Sequence, residues 1–359
     1  MRFNFKFSNY KRLYNFFWFL SLLNIFFSTD ILLAKTFSIS DIEISTPFEI
    51  NFNKNTIIDE GFSQAYDQLI LSIVQTKDQK KIQNIPLSTI KGMIETFSIN
   101  EEKFIDEIYY LSLNVNFSKK KIFNLLEGKN IFASQPIKKD ILFIPIIIDE
   151  NKNEIQIFSE NNLFKNWNLD KKKFHLLNYI LPTQDIEDFN LIKNKLSDIE
   201  NYDFMDIINK YNLENYIIMV IFKNNKQLRI FNKINLNGTV DIKNFKYKAL
   251  ELNTESNEKK VIKKLKEVYE NYWKFNNQIN TSVKLPLTIS VNNDINLNIS
   301  QFEKTLSDID SIYDFYIHKF DNKNNIYKII FNGSPDNFLK IMKNKGYNFN
   351  TQNQEWALK

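Results

Sequence analysis

Three acidic residues in one short segment have the types and spacing that could do chemistry. The stretch LPTQDIEDF holds Asp185, Glu187 and Asp188 within four positions. Carboxylates at this spacing can hold a hard cation or act as general acid and general base. The same residues also suit a structural role, because Asp185 can cap a following helix whose first turn would then hold Glu187 and Asp188. We favour the structural interpretation and keep the chemical one as its alternative.

The two histidines, His175 and His318, are the other candidate ligands or proton carriers. A structural or surface position explains each of them without any ligand. The chemical alternative that uses most of these groups is a carboxylate-based, metal-dependent hydrolase. Its candidate residues are Asp185, Glu187, Asp188 and His175.

Motifs for several other chemistries are absent from the sequence. The six glycines are dispersed, so neither G-x-G-x-x-G nor a phosphate-binding loop is present. No serine lies in a G-x-S-x-G motif. Because the sequence has two histidines and no cysteine, it cannot build a three-histidine or Cys/His zinc site, and it cannot form a disulfide. We therefore predict no catalytic residue, no cofactor and no metal, and interpret the protein as a non-enzyme.

Charge and composition argue against a nucleic-acid partner. Lysines and acidic residues are interspersed, and the formal net charge is only +5, so the chain has no strong field of one sign. Arg229 is the one arginine beyond the first 12 residues, which leaves little for bidentate phosphate recognition. Asn, Lys, Ile, Phe and Tyr are frequent, a bias typical of an AT-rich bacterial genome. That bias explains the lysine runs as solvated faces.

The N-terminal stretch FFWFLSLLNIFF predicts export. It follows Lys11 and Arg12 and is shorter than the roughly 20 apolar residues of a spanning helix. A small residue, Ala34, comes next, so we predict a signal peptide over residues 1–34 and a periplasmic protein. The alternative is an uncleaved inner-membrane anchor with a periplasmic ectodomain. In that case this segment would supply the membrane contact.

Residues 36–130 predict an N-terminal α+β module with the element order β-α-α-β-α. Alternating apolar residues over 42–52 indicate a half-buried strand. The stretch DEGFSQAYDQLILSIV then has helical spacing, and a second short helix is expected over 87–97. Alternation returns over 109–117, and a helix over 118–128 closes the module.

Residues 137–250 predict an α/β domain with a mixed sheet. The continuous apolar runs ILFIPIII and YIIMVIF are typical of central strands that are covered on both faces. Two alternating segments around Asn237-Gly238 predict an antiparallel hairpin at one side. A helix over 257–278 is expected to connect this domain to the next one. The predicted apolar stripe of that helix consists of Val261, Leu265, Val268, Tyr272 and Phe275.

Residues 280–359 predict a C-terminal module with the order βαββαβ of a ferredoxin-like fold. The stretch NGSPDNFLKIMKNKG marks a helix, with Ser334 as its N-cap and Pro335 at the first helical position. The whole chain is thus predicted to combine α+β and α/β structure in three small modules. The predicted core of the third is Leu287, Ile289, Phe302, Leu306, Ile317, Ile329, Phe331, Phe338, Ile341 and Met342.

Four stretches of the sequence together resemble a known family. In chain order they are EGFSQAYDQLILSI, ILFIPIIIDENKNEIQIFSENNLFKNWN, LPTQDIEDFNLI and INKYNLENYIIMVIF. As a set they are similar to proteobacterial exported proteins grouped as domain of unknown function 2066, and the chain looks like an alphaproteobacterial member. The resemblance covers residues from about 37 to 278. It implies a cell-envelope protein and carries over no catalytic residue, because that family has no established activity.

We therefore expect a periplasmic, non-enzymatic binding or assembly protein whose partner is another envelope protein. The alternatives are an inner-membrane-anchored adaptor with the same ectodomain, and the metal-dependent hydrolase described above. These three differ in where the chain resides and in whether the acidic segment forms a site.

Overall fold

The structure is a computed structural model. It describes residues 36–224, 227–236, 238–248, 252, 254–279, 283–292, 299–320 and 323–359. The predicted signal peptide lies outside these residues. Within them the chain forms three β-sheets, named here the N-terminal, middle and C-terminal sheets, each packed against helices. The predicted α+β fold class is confirmed.

The elements are numbered here in chain order. The strands are β1 (Thr36–Pro47), β2 (Ile94–Ile105), β3 (Ile108–Ser118), β4 (Lys139–Asp149), β5 (Glu154–Gln156), β6 (Leu177–Ile180), β7 (Tyr216–Asn224), β8 (Gln227–Leu236), β9 (Thr239–Lys248), β10 (Lys284–Asn292), β11 (Ile312–Phe320), β12 (Asn324–Asn332), β13 (Phe349–Asn350) and β14 (Glu355–Leu358). The α-helices are α1 (Lys54–Ile73), α2 (Thr76–Gln79), α3 (Leu87–Met93), α4 (Lys119–Glu127), α5 (Asn162–Asn166), α6 (Ile186–Asn194), α7 (Met205–Ile208), α8 (Glu255–Asn276), α9 (Ile299–Asp308) and α10 (Pro335–Asn344).

The N-terminal sheet is antiparallel, with the strand order β1-β3-β2, and α1 covers one face. The predicted apolar faces of α1 and β3 are buried as expected from their periods of 3.6 and 2. Gly61 lets α1 approach the sheet closely, because a Cβ there would lie 2.4 Å from Cδ1 of Leu113. This contact fixes the distance between helix and sheet.

Strand β2 was not predicted. The helix expected over 87–97 ends at Met93, and the chain then runs extended to Ile105. Irregularities in its pairing with β3, between Ile94 and Thr96 and between Ile99 and Glu101, shift the phase of its side chains. Bulges of this kind break the alternation that identifies a strand. The predicted order β-α-α-β-α therefore lacks β2, and it also lacks the four-residue helix α2.

The first strand begins and ends earlier than predicted. Apolar alternation continues to Phe52, but β1 ends at Pro47 and the next residues form a loop. Phe48 and Ile50 were assigned to the buried phase of the strand. That assignment is wrong, because both side chains are exposed. Proline cannot donate a ladder hydrogen bond, which accounts for the end of the strand at this position.

The middle sheet is mixed, as predicted. Its order is β5-β4-β7-β8-β9, with β6 also paired to β4; β4 runs parallel to β6 and β7, whereas β8 and β9 form an antiparallel hairpin. Successive side chains of β4 enter different cores, since Ile141 and Phe143 pack on one face and Leu142 and Ile144 on the other. The continuous apolar run thus belongs to a central strand that is covered on both faces.

Helix α8 packs on the middle sheet and contributes to its core. Val261, Leu265, Tyr269 and Trp273 are buried with the side chains of β4 and β7. The predicted stripe was partly wrong, because Phe275 is exposed. The buried positions follow a spacing of three and four residues that begins at Val261 and passes through Trp273.

The C-terminal sheet has the order β11-β12-β10-β14-β13. The neighbouring strands β11, β12, β10 and β14 have the order expected for a ferredoxin-like βαββαβ module. The end of the chain departs from that pattern, because β13 and β14 form a short antiparallel hairpin that places β14 parallel to β10. The predicted core is buried except for Ile317, which is exposed on the edge strand β11, and Ile341, which is partly buried.

Across the described residues, no helix is both long enough and apolar enough to span a membrane.

Candidate functional site

The acidic segment forms a helix start, as the structural interpretation predicted. Asp185 is the N-cap of α6, and its side chain accepts a hydrogen bond from the backbone N–H of Glu187 at 2.7 Å. Glu187 and Asp188 lie in the first turn of α6. The ammonium of Lys210 contacts Asp188 at 2.6 Å and Asp185 at 3.2 Å.

Lys210 pairs with two of the three carboxylates of this segment, those of Asp185 and Asp188. The hydrogen bond from Glu187 N–H, reinforced by Lys210, lowers the pKa of Asp185. The two aspartates in turn raise the pKa of Lys210. No group of three His, Asp or Glu side chains suited to a metal ion occurs in the described part of the chain. The geometry here is that of a capped and ion-paired helix end.

His175 lies on the opposite side of the middle sheet from these acids. The next residue, Leu176, packs in the core that contains Phe143, whereas Ile192 of α6 packs in the core that contains Leu142. The structure therefore does not bring His175 together with Asp185, Glu187 and Asp188. The other histidine, His318, is exposed on β11, in agreement with the predicted strand or surface position.

A cleft lies between β1, α1 and the segment 171–178, and His175 is part of its wall. Its volume is about 780 Å³. Its apolar lining includes Ile39, Phe174 and Leu176. Its charged and titratable lining consists of Lys138, Lys171, Lys172, Lys173, His175, Asp41 and Asp140.

Hydrogen bonds connect the charged groups of the cleft to each other. Lys173 donates to the backbone carbonyl of Asp41 in β1 at 2.6 Å, which ties the two walls together. On the other side the amide of Asn178 accepts from Lys171 at 2.9 Å and donates to Asp140 at 2.8 Å. The lysines are thus oriented by neighbours, while the side chains of Lys172 and Lys173 remain about half exposed, 53% and 54%.

Two buried charged side chains of α8 form hydrogen bonds with the backbone of the cleft walls. The carboxylate of Glu270 accepts hydrogen bonds from the backbone N–H groups of Leu176 and Leu177, both at 3.0 Å. One turn away, Lys274 donates to the carbonyl oxygens of Leu71 and Val74 at the end of α1. Helix α8 therefore holds both walls of the cleft through hydrogen bonds to their backbone groups.

Burial shifts the pKa values of Lys274, Glu270 and His175 in the direction that favours the neutral form of each side chain. Burial lowers the pKa of Lys274 to about 8, an effect that Glu270 partly opposes. Burial also raises the pKa of Glu270 against the hydrogen bonds from Leu176 and Leu177. Burial together with Lys266 lowers the pKa of His175 to about 4. At neutral pH His175 is therefore an uncharged imidazole among lysines.

The cleft is equipped for binding. Among the described residues no hydrogen bond joins His175 to a serine or aspartate side chain, so it is not paired as the base of a nucleophile. Its ring nitrogen Nδ1 accepts from the backbone N–H of Lys172 at 3.4 Å. A neutral imidazole, several ammonium groups and apolar side chains together provide recognition groups for an anion with an apolar part.

Sequence reasoning did not find this cleft. Its walls come from residues 38–41, 68–72, 136–140 and 171–178, which are far apart in the chain. The lysines at 171–173 were interpreted as a solvated face. The one local signal was a pair of opposite charges four residues apart, Glu270 and Lys274, on a helix whose apolar stripe includes the adjacent Tyr269 and Trp273.

No protein-family model matches the chain, and no curated protein matches its sequence. The resemblance to domain of unknown function 2066 stays a prediction.

Proposed function

We propose that the protein is an exported, non-enzymatic binding or assembly protein of the cell envelope, and that the cleft is its ligand site. The observation that carries this proposal is the convergence of four lysines and a neutral histidine on one cleft of about 780 Å³. Small-molecule sites have volumes of roughly 300–1,000 Å³ and combine apolar walls with a few convergent polar groups. Groups with strongly shifted pKa values cluster at such sites.

The chemistry of the lining favours an anionic ligand. The lining has four lysines and two acids, Asp41 and Asp140, so its positive charge is in excess, although Lys172 and Lys173 also pair with Asp170 and Glu43 beside the cleft. Ammonium groups act as point charges for carboxylate or phosphate, and they stay hydrated on flexible stems. Because the lysine heads are about half exposed, binding should be moderate in strength and should weaken as salt is added.

The location and the partner follow from the sequence. The basic residues, the short apolar run and Ala34 favour a cleaved leader and a periplasmic chain. The partner is another envelope protein. The anchored adaptor remains the second candidate, because its ectodomain would be the same. The hydrolase alternative is not favoured, because its four residues lie on two faces of the middle sheet.

Titration of the mature chain, starting at Lys35, tests the ligand site. Inorganic phosphate, citrate and octanoate are the probes, and isothermal calorimetry at low and at physiological salt is the measurement. We expect saturable binding of at least one probe, reduced about tenfold or more in Lys171→Ala/Lys173→Ala. The control is Lys259→Ala/Lys264→Ala on the exposed side of α8, which should bind like the wild type. Equal affinity in both variants, or no binding at all, would overturn the proposal.

Fractionation of cells that express the full chain tests the location. We expect a soluble periplasmic protein whose mass corresponds to a start at Lys35. An intact chain starting at Met1 that resists carbonate extraction would instead identify the anchored adaptor.

A further inference from the structure

The end of the N-terminal sheet away from the cleft carries an exposed apolar cluster. It combines the loop after β1 with the turn between β2 and β3, and we name it the apolar tip: Phe48, Ile50, Phe104 and Ile105. The exposed fractions of these side chains are 51%, 104%, 58% and 49%. Clusters of large exposed apolar side chains mark interaction sites on soluble proteins.

Ring contacts and one backbone hydrogen bond anchor Phe48 and Phe104 of the apolar tip to the sheet. The ring of Phe48 lies 4.8 Å from that of Phe104 and 4.7 Å from that of Phe52, which packs 4.7 Å from the buried Tyr109. The backbone N–H of Phe48 donates to the carbonyl of Glu107 at 2.7 Å. A pre-organised surface loses little conformational entropy when it binds, so this cluster is suited to docking.

The turn itself is built for a tight hairpin. Asp106 and Glu107 have φ angles of +50° and +62°, the left-handed conformation of both central residues in a type I′ turn. This turn directs Phe104 and Ile105 to the end of the sheet, beside Phe48. The exposed position of the apolar residues is therefore a consequence of ordered structure.

The charges around the apolar tip are predominantly acidic. Two lysines nearby are already paired: Lys54 at the start of α1 pairs with Glu102 at 2.7 Å, and Lys103 of β2 pairs with Glu101. The remaining acids are exposed and have no ion-pair partner in the described part of the chain. They are Glu49, Asp106 and Glu107.

We propose that the apolar tip docks against an apolar face of a partner protein, such as one side of an amphipathic helix, whose rim carries lysine or arginine side chains. Three unpaired carboxylates beside the apolar residues complement such a rim. They would repel an anionic membrane surface. They would also repel the same carboxylates of a second copy. The proposal rests on the assembly role given above but uses a surface separate from the cleft.

Two defined peptides test the charge preference. Both are amphipathic helices of about 18 residues with the same leucine face, one flanked by lysines and the other by glutamates. Fluorescence anisotropy with the mature full chain is the measurement. We expect the leucine/lysine peptide to bind about tenfold or more tightly than the leucine/glutamate peptide at low salt. Equal binding of the two peptides would overturn the proposal.

Variants of the apolar tip locate the contact. Ile50→Ser should weaken the leucine/lysine peptide about tenfold, and because Ile50 is fully exposed the change leaves the core intact. The matched control is Ile242→Ser, an exposed isoleucine on β9. We expect it to bind like the wild type. Unchanged binding in Ile50→Ser, or an equal loss in Ile242→Ser, contradicts the proposed site.

A triple variant separates charge from apolar contact. Glu49→Gln/Asp106→Asn/Glu107→Asn keeps the apolar residues, and asparagine tolerates the left-handed conformation of the turn. It should bind the two peptides with similar affinity. Retained preference for the leucine/lysine peptide would show that these carboxylates do not select the partner.

Two further measurements detect the other possible occupants. Flotation with phosphatidylcholine or phosphatidylglycerol vesicles should recover no protein. Sedimentation should show no association that Ile50→Ser abolishes. Vesicle binding that depends on Ile50 would replace the partner protein by a lipid surface, and association that depends on Ile50 would replace it by a second copy. Neither measurement involves the cleft, so both can be interpreted even if the cleft proposal fails.

Discussion

The ammonium of Lys274 donates a hydrogen bond to the carbonyl oxygen of Val74, 3.3 Å away, and so joins α8 to the end of α1. The same ammonium also bonds the carbonyl of Leu71. On the preceding turn of α8, Glu270 holds the backbone of Leu176 on the other wall of the cleft. The shape of the cleft therefore depends on two neighbouring buried charges of one helix.

Lys274→Met should destabilise the protein at pH 9.5, where the wild-type side chain is a neutral amine that still donates hydrogen bonds but carries no buried charge. Methionine fills the space of the aliphatic stem but leaves the carbonyl of Leu71 without its side-chain donor, whereas the carbonyl of Val74 keeps a hydrogen bond from Nε2 of Gln79. A buried acceptor that loses its partner costs about 1–3 kcal/mol. Urea denaturation monitored by tryptophan fluorescence gives the free energy of unfolding. A variant as stable as the wild type at this pH would show that water replaces the amine as the donor to Leu71.

The effect of Lys274 should also depend on pH. Its pKa is about 8 in the folded protein and near 10.5 when unfolded. Below pH 8 both states bind the proton, and the cost of burying the charge is fully present. Between pH 8 and 10.5 the unfolded state binds more protons, so this group makes the stability of the wild type rise with pH.

Comparison of the wild type with Lys274→Met isolates the contribution of Lys274 to this pH dependence, because the two proteins share all other titrating groups. From pH 7.5 to 9.5 the wild type should gain about 2 kcal/mol in free energy of unfolding relative to the variant. A constant difference between the two proteins across this range would mean that the pKa of Lys274 is not lowered by burial.

Gly61 and Gly92 form a matched pair of helical glycines. At Gly61 a Cβ would overlap the buried Leu113, so Gly61→Ala should cost about 1–3 kcal/mol despite the better helix propensity of alanine. At Gly92 no atom lies within 4 Å of the Cβ position, so Gly92→Ala should stabilise by about 0.5–1 kcal/mol. Thermal denaturation of the two variants checks the opposite signs. Changes of the same sign would contradict the close packing of α1 on the sheet.

The acids of α6 should contribute unequally to stability. Asp188 is 1% exposed and contacts Lys210, so Asp188→Ala should cost about 1–3 kcal/mol, more than its place in the first turn alone would indicate. Asp185→Ala removes the cap and should destabilise to a smaller extent. Glu187→Ala, at an exposed position, is the control with the smallest effect. Chemical denaturation of the three variants gives the order of their stability losses. A metal-dependent rise in melting temperature that Asp188→Ala abolishes would instead support the interpretation of these acids as a cation site.

Elements with one clear period were predictable from the sequence, and those with interrupted periods were not. The faces of α1 and β3 were predicted because each apolar position, such as Leu69 or Leu113, follows from local geometry. Strand β2 was missed because its bulges shift the phase twice. The alternation beyond Pro47 was assigned to the strand, whereas Phe48 and Ile50 are exposed in the apolar tip.

The candidate site divides in the same way. The cap by Asp185 was predictable, since it depends on residues two positions apart. The pairing of Asp188 with Lys210 joins residues that are 22 positions apart in the sequence. The hydrogen bond from Lys274 to the carbonyl of Leu71 joins residues that are 203 positions apart. Contacts at such separations depend on the arrangement of whole elements, which a single sequence does not specify.

A fragment of residues 280–359 should fold on its own. Its core contains side chains of this segment alone, including the fully buried Phe331 and Phe338. Its contacts with the rest of the chain include polar pairs on α4, such as Lys120–Asp314 at 2.9 Å. Exposed ion pairs of this kind contribute only about 0–1 kcal/mol each. The separated fragment should therefore keep most of its stability.

Cooperative unfolding of that fragment in urea, with well-dispersed amide signals, is the expected result. Phe338→Ala should lower its free energy of unfolding by about 3–5 kcal/mol, because a fully buried ring that contacts Phe331 and Trp356 is replaced by a cavity. Phe320→Ala, at an exposed phenylalanine on β11, is the control that should change little. A fragment without a cooperative transition would mean that the contacts with α4 are required for folding. The C-terminal sheet would then depend on the N-terminal one.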